Sequence, residues 1–330
     1  MRKIFTIVLI CIVAIGLIAC SNQPAAPAGE SQTPAPAPSQ GQQNDDPGVI
    51  RIAYLYQSLS NEHVVIMQGY VKDAVKSIGG IELIELDGEG QIDKQLAQAE
   101  NMISQGVDVL VLNPYDKNGC APIVEMAAAA NVPIVIASGE VVNVELATSW
   151  VGTNDKDAGI MQTEYMADLL GGKGTVVVIH GPNGHAAEIG RTLGMNEVLE
   201  NFPNIGIYAE QTANWDRAEA LTLMENWLQT GTQIDGVLAQ NDEMALGALT
   251  AVEAAGKLGE IKIIGIDAIP DALAAVKKGT LDATVFQDTL QLGEMSIKVA
   301  VAIAKGDEFP KKLMIPFKIV NSDNVDEYIH

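Results

Sequence analysis

Residues 237–249 read VLAQNDEMALGAL, an apolar run that stops at three polar side chains and then resumes with apolar residues at helical spacing. The run has the length of a buried strand, and Asn241, Asp242 and Glu243 stand where a helix would begin. A strand that leads directly into a helix is the repeating unit of parallel α/β sheets. Ligands of such sheets bind beyond the carboxyl ends of the strands. The stretch therefore predicts an α/β fold and the position of a site.

The same alternation extends in both directions from this stretch. Amphipathic segments with apolar residues three and four positions apart separate nine apolar runs of strand length. The runs form a first series at 49–56, 81–87, 107–113 and 133–138, and a second at 174–181, 205–211, 234–240, 261–268 and 281–288. Two series of this kind predict two similar, Rossmann-like lobes, each built on a parallel sheet.

The N-terminal residues differ from the rest of the chain. In residues 1–19, MRK precedes the apolar stretch IFTIVLICIVAIGLIA, which is short for a membrane span and typical of an export signal. LIAC, residues 17–20, resembles a bacterial lipobox and implies lipidation of Cys20; an uncleaved anchor helix is the alternative. Residues 20–48, rich in proline and small polar residues, predict a disordered linker. We expect an exported body tethered to the outer face of the cell membrane or in the periplasm.

Composition and spacing argue against several classes of protein. The chain has 20 basic and 42 acidic residues, a net charge of −22, which would repel nucleic acid. Cys120 is the only cysteine after Cys20, so the body forms no internal disulfide. DGEGQIDKQ, residues 87–95, lacks the glycine and glutamate spacing of a calcium loop. With no zinc-ligand spacing, P-loop or GxSxG motif in the sequence, we predict no metal and no cofactor.

Polar side chains recur near the carboxyl ends of the predicted strands. They are Asn61, Ser138, Asn241, Asp267 and Gln287. For any one of them, helix capping is the simpler interpretation, because Asn, Asp and Ser are preferred caps. Their repetition along the two sheets favours a ligand site.

The second half of the chain closely resembles the periplasmic binding proteins of the ribose and galactose/glucose type, which are sugar receptors of ABC importers. The blocks that carry the resemblance are QNDEMALGAL (240–249) and IKIIGIDAIPDALAAVKKGTLDATVFQD (261–288). SLSN (58–61), LNPYDKNG (112–119) and SWVGTNDKDAG (149–159) extend the resemblance over residues 49–330. It implies a type I fold whose lobes are joined by three crossings, with sugar bound between them. The implied lobes are 49–151 plus 289–315 and 152–288 plus 316–330.

The resemblance also implies roles for residues of the second lobe. Asn241 and Asp267 match positions that bind sugar hydroxyls, and Gln287 matches a position where relatives have Asn or Gln. In HGPNGHAAEIGR, His185 and Arg191 match a sugar-binding pair of the galactose/glucose receptors. Trp215 matches the place of an aromatic ring against the sugar face. We expect Arg191 and Asp267 to neutralise one another.

The first lobe departs from the family pattern. Relatives place an aromatic residue shortly after the position of Asn61; here His63 is the only planar candidate. After the fourth predicted strand, relatives commonly have Asp-Arg or Asn-Lys, whereas this chain has Ser138, Gly139 and Glu140. The ligand expected is an aldohexose or pentose, with a substituted sugar or polyol left open.

These features predict a monomeric binding lipoprotein that captures a monosaccharide and delivers it to an ABC permease. A sensor subunit for a chemoreceptor or histidine kinase is the alternative, because both roles use lobe surfaces that carry no motif. An enzyme would need His185, Asp267 or Glu140 in a catalytic arrangement that spacing does not show, and we predict no catalytic residue. A repressor of the same fold would need a helix-turn-helix where the export signal stands.

Overall fold

The computed structural model describes residues 48–329. The predicted export signal, Cys20 and the linker up to residue 47 lie outside these residues. The described residues belong to one compact unit, which contains two six-stranded sheets. Within the described part of the chain, no helix combines the length and the apolar character needed to cross a membrane.

Strands and helices alternate along most of the chain. The strands are β1 (Ile50–Tyr56), β2 (Ile81–Asp87), β3 (Val109–Leu112), β4 (Ile134–Ser138), β5 (Ser149–Gly152), β6 (Gly174–His180), β7 (Ile205–Thr212), β8 (Gly236–Ala239), β9 (Lys262–Asp267), β10 (Ala283–Phe286), β11 (Lys312–Met314) and β12 (Lys318–Asn321). The helices are α1 (Glu62–Ile78), α2 (Ile92–Ser104), α3 (Ala121–Ala129), α4 (Asp155–Leu169), α5 (Ala186–Leu199), α6 (Arg217–Gln229), α7 (Asp242–Ala254), α8 (Pro270–Lys278) and α9 (Thr289–Lys305). All nine predicted strands are present.

Each sheet forms the centre of one lobe. The first sheet has the strand order β11-β5-β4-β3-β1-β2, and the second has the order β12-β10-β9-β8-β6-β7. All pairings are parallel except that of β12 with β10. The chain passes between the lobes three times: from β5 to α4, from β10 to α9 and from β11 to β12. The predicted two-lobed α/β fold of type I is confirmed; the residue boundaries proposed for the lobes stay predictions.

The central strands are buried on both faces, as parallel strands between two layers of helices must be. All four residues of β3, VLVL, are buried, and so are the last five residues of β1. Within β1, Tyr54 and Tyr56 stack with ring centroids 4.3 Å apart. This rigid centre fixes the strand ends from which the polar loops emerge.

Two glycines set the spacing of α4 and α5. A Cβ atom on Gly159 would collide with the backbone of Arg191, and one on Gly194 would collide with the backbone of Lys156. Because both side chains are missing, the two helices approach closely along their length. The approach places Arg191 beside Asp155, the first residue of α4.

Candidate functional site

A pocket lies where the carboxyl ends of the two sheets face each other. The space between its lining atoms, including the part open to solvent, is about 400 Å³. The structure brings all nine sequence-predicted site residues together here, with five others. The lining residues are Gln57, Asn61, His63, Asn113, Ser138, Gly139, Asp155, His185, Ala187, Arg191, Trp215, Asn241, Asp267 and Gln287.

Three of the predicted residues also begin helices. Asn61 and Asn241 are the N-caps of α1 and α7: each Oδ1 accepts the backbone N–H three residues further on, at 3.4 and 3.0 Å. His185 caps α5 through Nδ1, which accepts the N–H of Ala187 at 3.1 Å. The capping interpretation and the pocket location therefore hold for the same side chains. The caps leave Nδ2 of both asparagines and Nε2 of His185 as the donors for other partners.

Arg191 is the most heavily bonded side chain of the pocket. Nε donates to Asp155 at 3.1 Å, Nη1 donates to the carbonyl of Gln240, and Nη2 donates to Gln287 Oε1 at 3.4 Å. Nη2 also lies 3.9 Å from Asp267 Oδ1, within the distance of an ion pair, so the expected pairing of Arg191 with Asp267 is present. Asp155 is the closer carboxylate because the tight packing of α4 on α5 holds it there.

Trp215 is the aromatic wall of the pocket. The imidazole of His185 meets its ring edge-on, with centroids 5.4 Å apart and planes at 83°. The guanidinium carbon of Arg191 lies 5.6 Å from the Trp215 centroid, within the range of a cation–π interaction. A side chain on Gly181 would occupy the space of the indole, so this glycine makes room for it. Trp215 itself has a φ of 64°, an unfavourable conformation that the surrounding contacts maintain.

Asp267 is a buried carboxylate without a hydrogen-bonded cation. It is 7% exposed and has a φ of 129°, which is rare for any residue except glycine. Among residues 48–329, the nearest basic nitrogens are His63 Nδ1 at 3.7 Å and Arg191 Nη2 at 3.9 Å, both beyond hydrogen-bond distance. Burial raises the pKa of Asp267 well above its ordinary value, although Arg191 opposes this effect. The carboxylate therefore gains from any donor that enters the pocket.

His63 presents two unused polar atoms. It is 8% exposed, and within the described part of the chain neither ring nitrogen has a hydrogen-bond partner. Burial, with a smaller contribution from Arg191, lowers its pKa to about 3, and the same causes lower that of His185 to about 3. Both rings are neutral near pH 7, so each offers one donor and one acceptor.

Asp242 supports the site from behind. It is fully buried; Oδ2 accepts the N–H of Ile269 at 3.0 Å and Oδ1 accepts the hydroxyl of Thr284 at 2.7 Å. These bonds connect the ends of β8, β9 and β10, the strands that carry Asn241, Asp267 and Gln287. Asp242 therefore holds the loop after β9 in place. Burial raises its pKa to about 7, against the lowering effect of the Thr284 bond.

Direct contacts connect the two lobes around the pocket. Gln57 Oε1 lies 2.6 Å from His185 Nε2, and the backbone N–H of Lys117 donates to the carbonyl of Gly184 at 3.0 Å. Side chains from both lobes therefore surround the same space, as a ligand enclosed between two lobes would require.

Ser138, Gly139 and Glu140 replace the charged pair that relatives commonly have. Glu140 turns away to form an ion pair with Lys117, and the Trp150 indole N–H donates to the carbonyl of Gly139 at 2.8 Å. Of these three residues, Ser138 and Gly139 line the pocket and Glu140 does not. This side of the site carries no charge of its own.

Sequence reasoning missed Gln57, Asn113 and Asp155. Gln57 and Asn113 directly follow β1 and β3, so the strand-end rule that selected Ser138 could also have found them. Asp155 follows β5, which has only four residues and gave no strand signal in the sequence.

A family model described as the periplasmic binding protein domain matches residues 52–308. The chain belongs to this family. It is one of binding proteins, which agrees with the prediction that the chain is not an enzyme. Within residues 48–329, no three His, Cys, Asp or Glu side chains are grouped so as to hold a metal ion.

Several members of the periplasmic binding protein family resemble the chain over most of its length. A candidate rhizopine-binding protein of Rhizobium meliloti is 38% identical over 80% of this chain and 87% of its own. The ribose import binding protein of Bacillus subtilis is 35% identical over 78% of this chain and 82% of its own. A crystal structure of an ABC transporter solute-binding protein from Bacillus halodurans with bound myo-inositol has a TM-score of 0.83, with 41% identity over 86% of this chain and 98% of that one.

Proposed function

We propose that this protein is an exported, lipid-anchored receptor that captures a monosaccharide-sized polyol between its lobes and delivers it to an ABC permease. The single observation that carries the proposal is the pocket between the strand ends, where both lobes supply uncharged hydrogen-bonding groups and the second lobe supplies an ion pair and an indole. A sugar or cyclitol ring has hydroxyls around its rim and C–H groups on its faces. Asn241, Arg191 and Asp267 suit the rim, and Trp215 suits a face.

The comparisons support this class of ligand. The Bacillus halodurans protein was crystallised with myo-inositol, and other relatives are named for rhizopine, ribose and xylitol. We therefore extend the monosaccharide prediction to cyclic and linear polyols. Closure around the ligand is favoured because contacts with both lobes exist only when the lobes are together.

Thermal-shift and calorimetric titration test the binding step. The probes are myo-inositol, scyllo-inositol, rhizopine, ribose, glucose, galactose and xylitol, added to the mature chain from residue 20 with Cys20→Ser. A ligand present at about 100 times its Kd should stabilise the folded protein by about 2.7 kcal/mol. Trp215→Ala should abolish the shift. No response to any probe, from folded protein freed of bound ligand by unfolding and refolding, would contradict the proposal.

Two further measurements test the anchor and the delivery step. Membrane fractionation of cells should find the unaltered chain with the membrane and the Cys20→Ser variant released. Uptake of the labelled ligand should fall when the chain is deleted and recover when it is restored. Unchanged uptake would instead favour the sensor alternative.

A further inference from the structure

Asp267 and His63 form a pair of acceptor groups on opposite lobes. Oδ1 of Asp267 and Nδ1 of His63 are 3.7 Å apart, and neither makes a hydrogen bond within residues 48–329. A single atom can lie within about 2.9 Å of both, the ordinary length of an N–H···O bond. The position lies in the pocket, since both side chains line it.

The pocket also contains more carboxylates than cations. Among its lining residues, Asp155 and Asp267 are acids and Arg191 is the one permanent cation, because His63 and His185 are neutral. Arg191 directs Nε at Asp155 and reaches Asp267 Oδ1 only at 3.9 Å; burial raises the pKa of Asp267, so a second cation beside it would favour its ionised form. Asp242, Asp155 and Glu243 add to the negative potential at Asp267. A neutral ligand would leave this imbalance in place.

A hydroxyl group and an ammonium group differ in what they can do between these two acceptors. A hydroxyl donates one hydrogen bond and carries no charge, so it bonds to both Asp267 and His63 only if His63 Nδ1 carries the proton and donates to it. An ammonium has three donors and a positive charge, so it bonds to both and pairs with the excess carboxylate. This arrangement uses the His63 tautomer with the proton on Nε2, which leaves Nδ1 as an acceptor.

We propose that the preferred ligand is an amino-substituted polyol whose ammonium binds between Asp267 and His63. The inference rests on the proposed function and specifies its ligand class. The remaining hydroxyls of the ring would bind to Asn241, Arg191 and Gln287, and a ring face would pack on Trp215. Replacing the ammonium by a hydroxyl at the same ring position removes the charge pairing with Asp267 and leaves one donor for the two acceptors.

Matched ligand pairs test the inference by calorimetry at neutral pH on the protein freed of bound ligand. The first pair is scyllo-inosamine and scyllo-inositol. Because the six ring positions of scyllo-inositol are equivalent, scyllo-inosamine can bind in whichever orientation places its one amine between Asp267 and His63. The second pair is glucosamine and glucose. We expect at least one amine to bind at least tenfold more tightly than its neutral partner. Asp267→Asn should reduce that ratio to near one, whereas Asp307→Asn, an equal change of charge at an exposed position, should keep it.

The outcomes separate this inference from the proposed function. Neutral rings that bind as tightly as the amines, or more tightly, overturn the amino-polyol inference and leave polyol capture standing. Failure of both amines to bind also overturns it, and the neutral probes then decide separately whether polyol capture fails. Because the comparison on the unaltered protein is decisive, a variant at Asp267 that failed to fold would not rescue the inference. His63→Phe, which keeps a planar ring without the acceptor, should also reduce the preference.

Discussion

The side chains of Gln57 and His185 connect the two lobes across the pocket, with Gln57 Oε1 2.6 Å from His185 Nε2. Because Nδ1 of His185 accepts the N–H of Ala187, its proton is on Nε2, and Nε2 is the donor to Gln57. The same imidazole lies edge-on to Trp215. One histidine therefore caps a helix, contacts the aromatic wall and bonds to the opposite lobe.

Replacing Gln57 with Ala should weaken ligand binding without unfolding either lobe. The bond to His185 exists only when the lobes are together, so its loss favours the open form. A hydrogen bond of this kind contributes about 1 kcal/mol, and we expect Kd to rise about fivefold. Calorimetry measures Kd, and small-angle scattering measures the open fraction. The control is Ser58→Ala, at a neighbouring position outside the pocket lining. An unchanged Kd in Gln57→Ala would show that the bond to His185 does not contribute to closure.

Gly181→Ala should displace Trp215 and reduce ligand binding at least tenfold. The added methyl group would occupy the position of the indole ring, which must then move. Gly206→Ala is the matched control, because it lies in β7, the neighbour of the strand that Gly181 follows, and a Cβ atom there meets nothing within 4 Å. Calorimetry and tryptophan fluorescence should both change for Gly181→Ala and stay constant for Gly206→Ala. Normal binding by the first variant would argue against a ligand role for Trp215.

Arg191→Met should destabilise the fold as well as abolish binding. Removing the guanidinium leaves the Asp155 carboxylate, whose side chain is 11% exposed, without its cation; for fully buried pairs such a change costs about 3–5 kcal/mol. The double variant Arg191→Met/Asp155→Asn removes both charges and should recover much of that stability. Urea unfolding of the single and double variants measures the difference. Equal destabilisation by both would mean that the ion pair is not the source of the effect.

Asp242→Asn should change how stability depends on pH. Burial raises the pKa of Asp242 to about 7, whereas a carboxyl group in an unfolded chain has a pKa of about 3.9. Between these values the folded protein binds a proton that the unfolded chain has lost, so this group lowers stability as the pH rises. The Asn variant lacks this contribution, and its free energy of unfolding should decline less from about pH 4 to about pH 7. Urea titrations across that window compare it with Asp307→Asn, which should follow the unaltered protein.

The strands that the sequence predicted are those rich in apolar residues over five or more positions. β5, β11 and β12 were not predicted as strands, because the apolar residues of SWVG, KLM and KIVN do not form a longer run. Their pairing depends on the lobe crossings, which no local pattern reveals. Asp155 escaped notice for the same reason, since it follows one of these short strands.

The pocket residues were more predictable than their partners. Strand-end positions and family motifs located all nine candidates at one pocket. The sequence did not reveal that the carboxylate of Asp155 would lie closer to the Arg191 guanidinium than the carboxylate of Asp267 does. That choice depends on two glycines that bring α4 against α5, a three-dimensional effect with no counterpart in a single motif.

The distribution of the pocket over many separate strand ends affects how its selectivity can change during evolution. Each loop contributes one to three side chains, and the sheets beneath keep their packing whichever polar group a loop carries. A change in one loop, such as Ser138 and Gly139 in place of the charged pair that relatives commonly have, can therefore alter the chemistry on one side of the ligand while the other loops keep theirs. Selectivity in this architecture can therefore diverge one loop at a time.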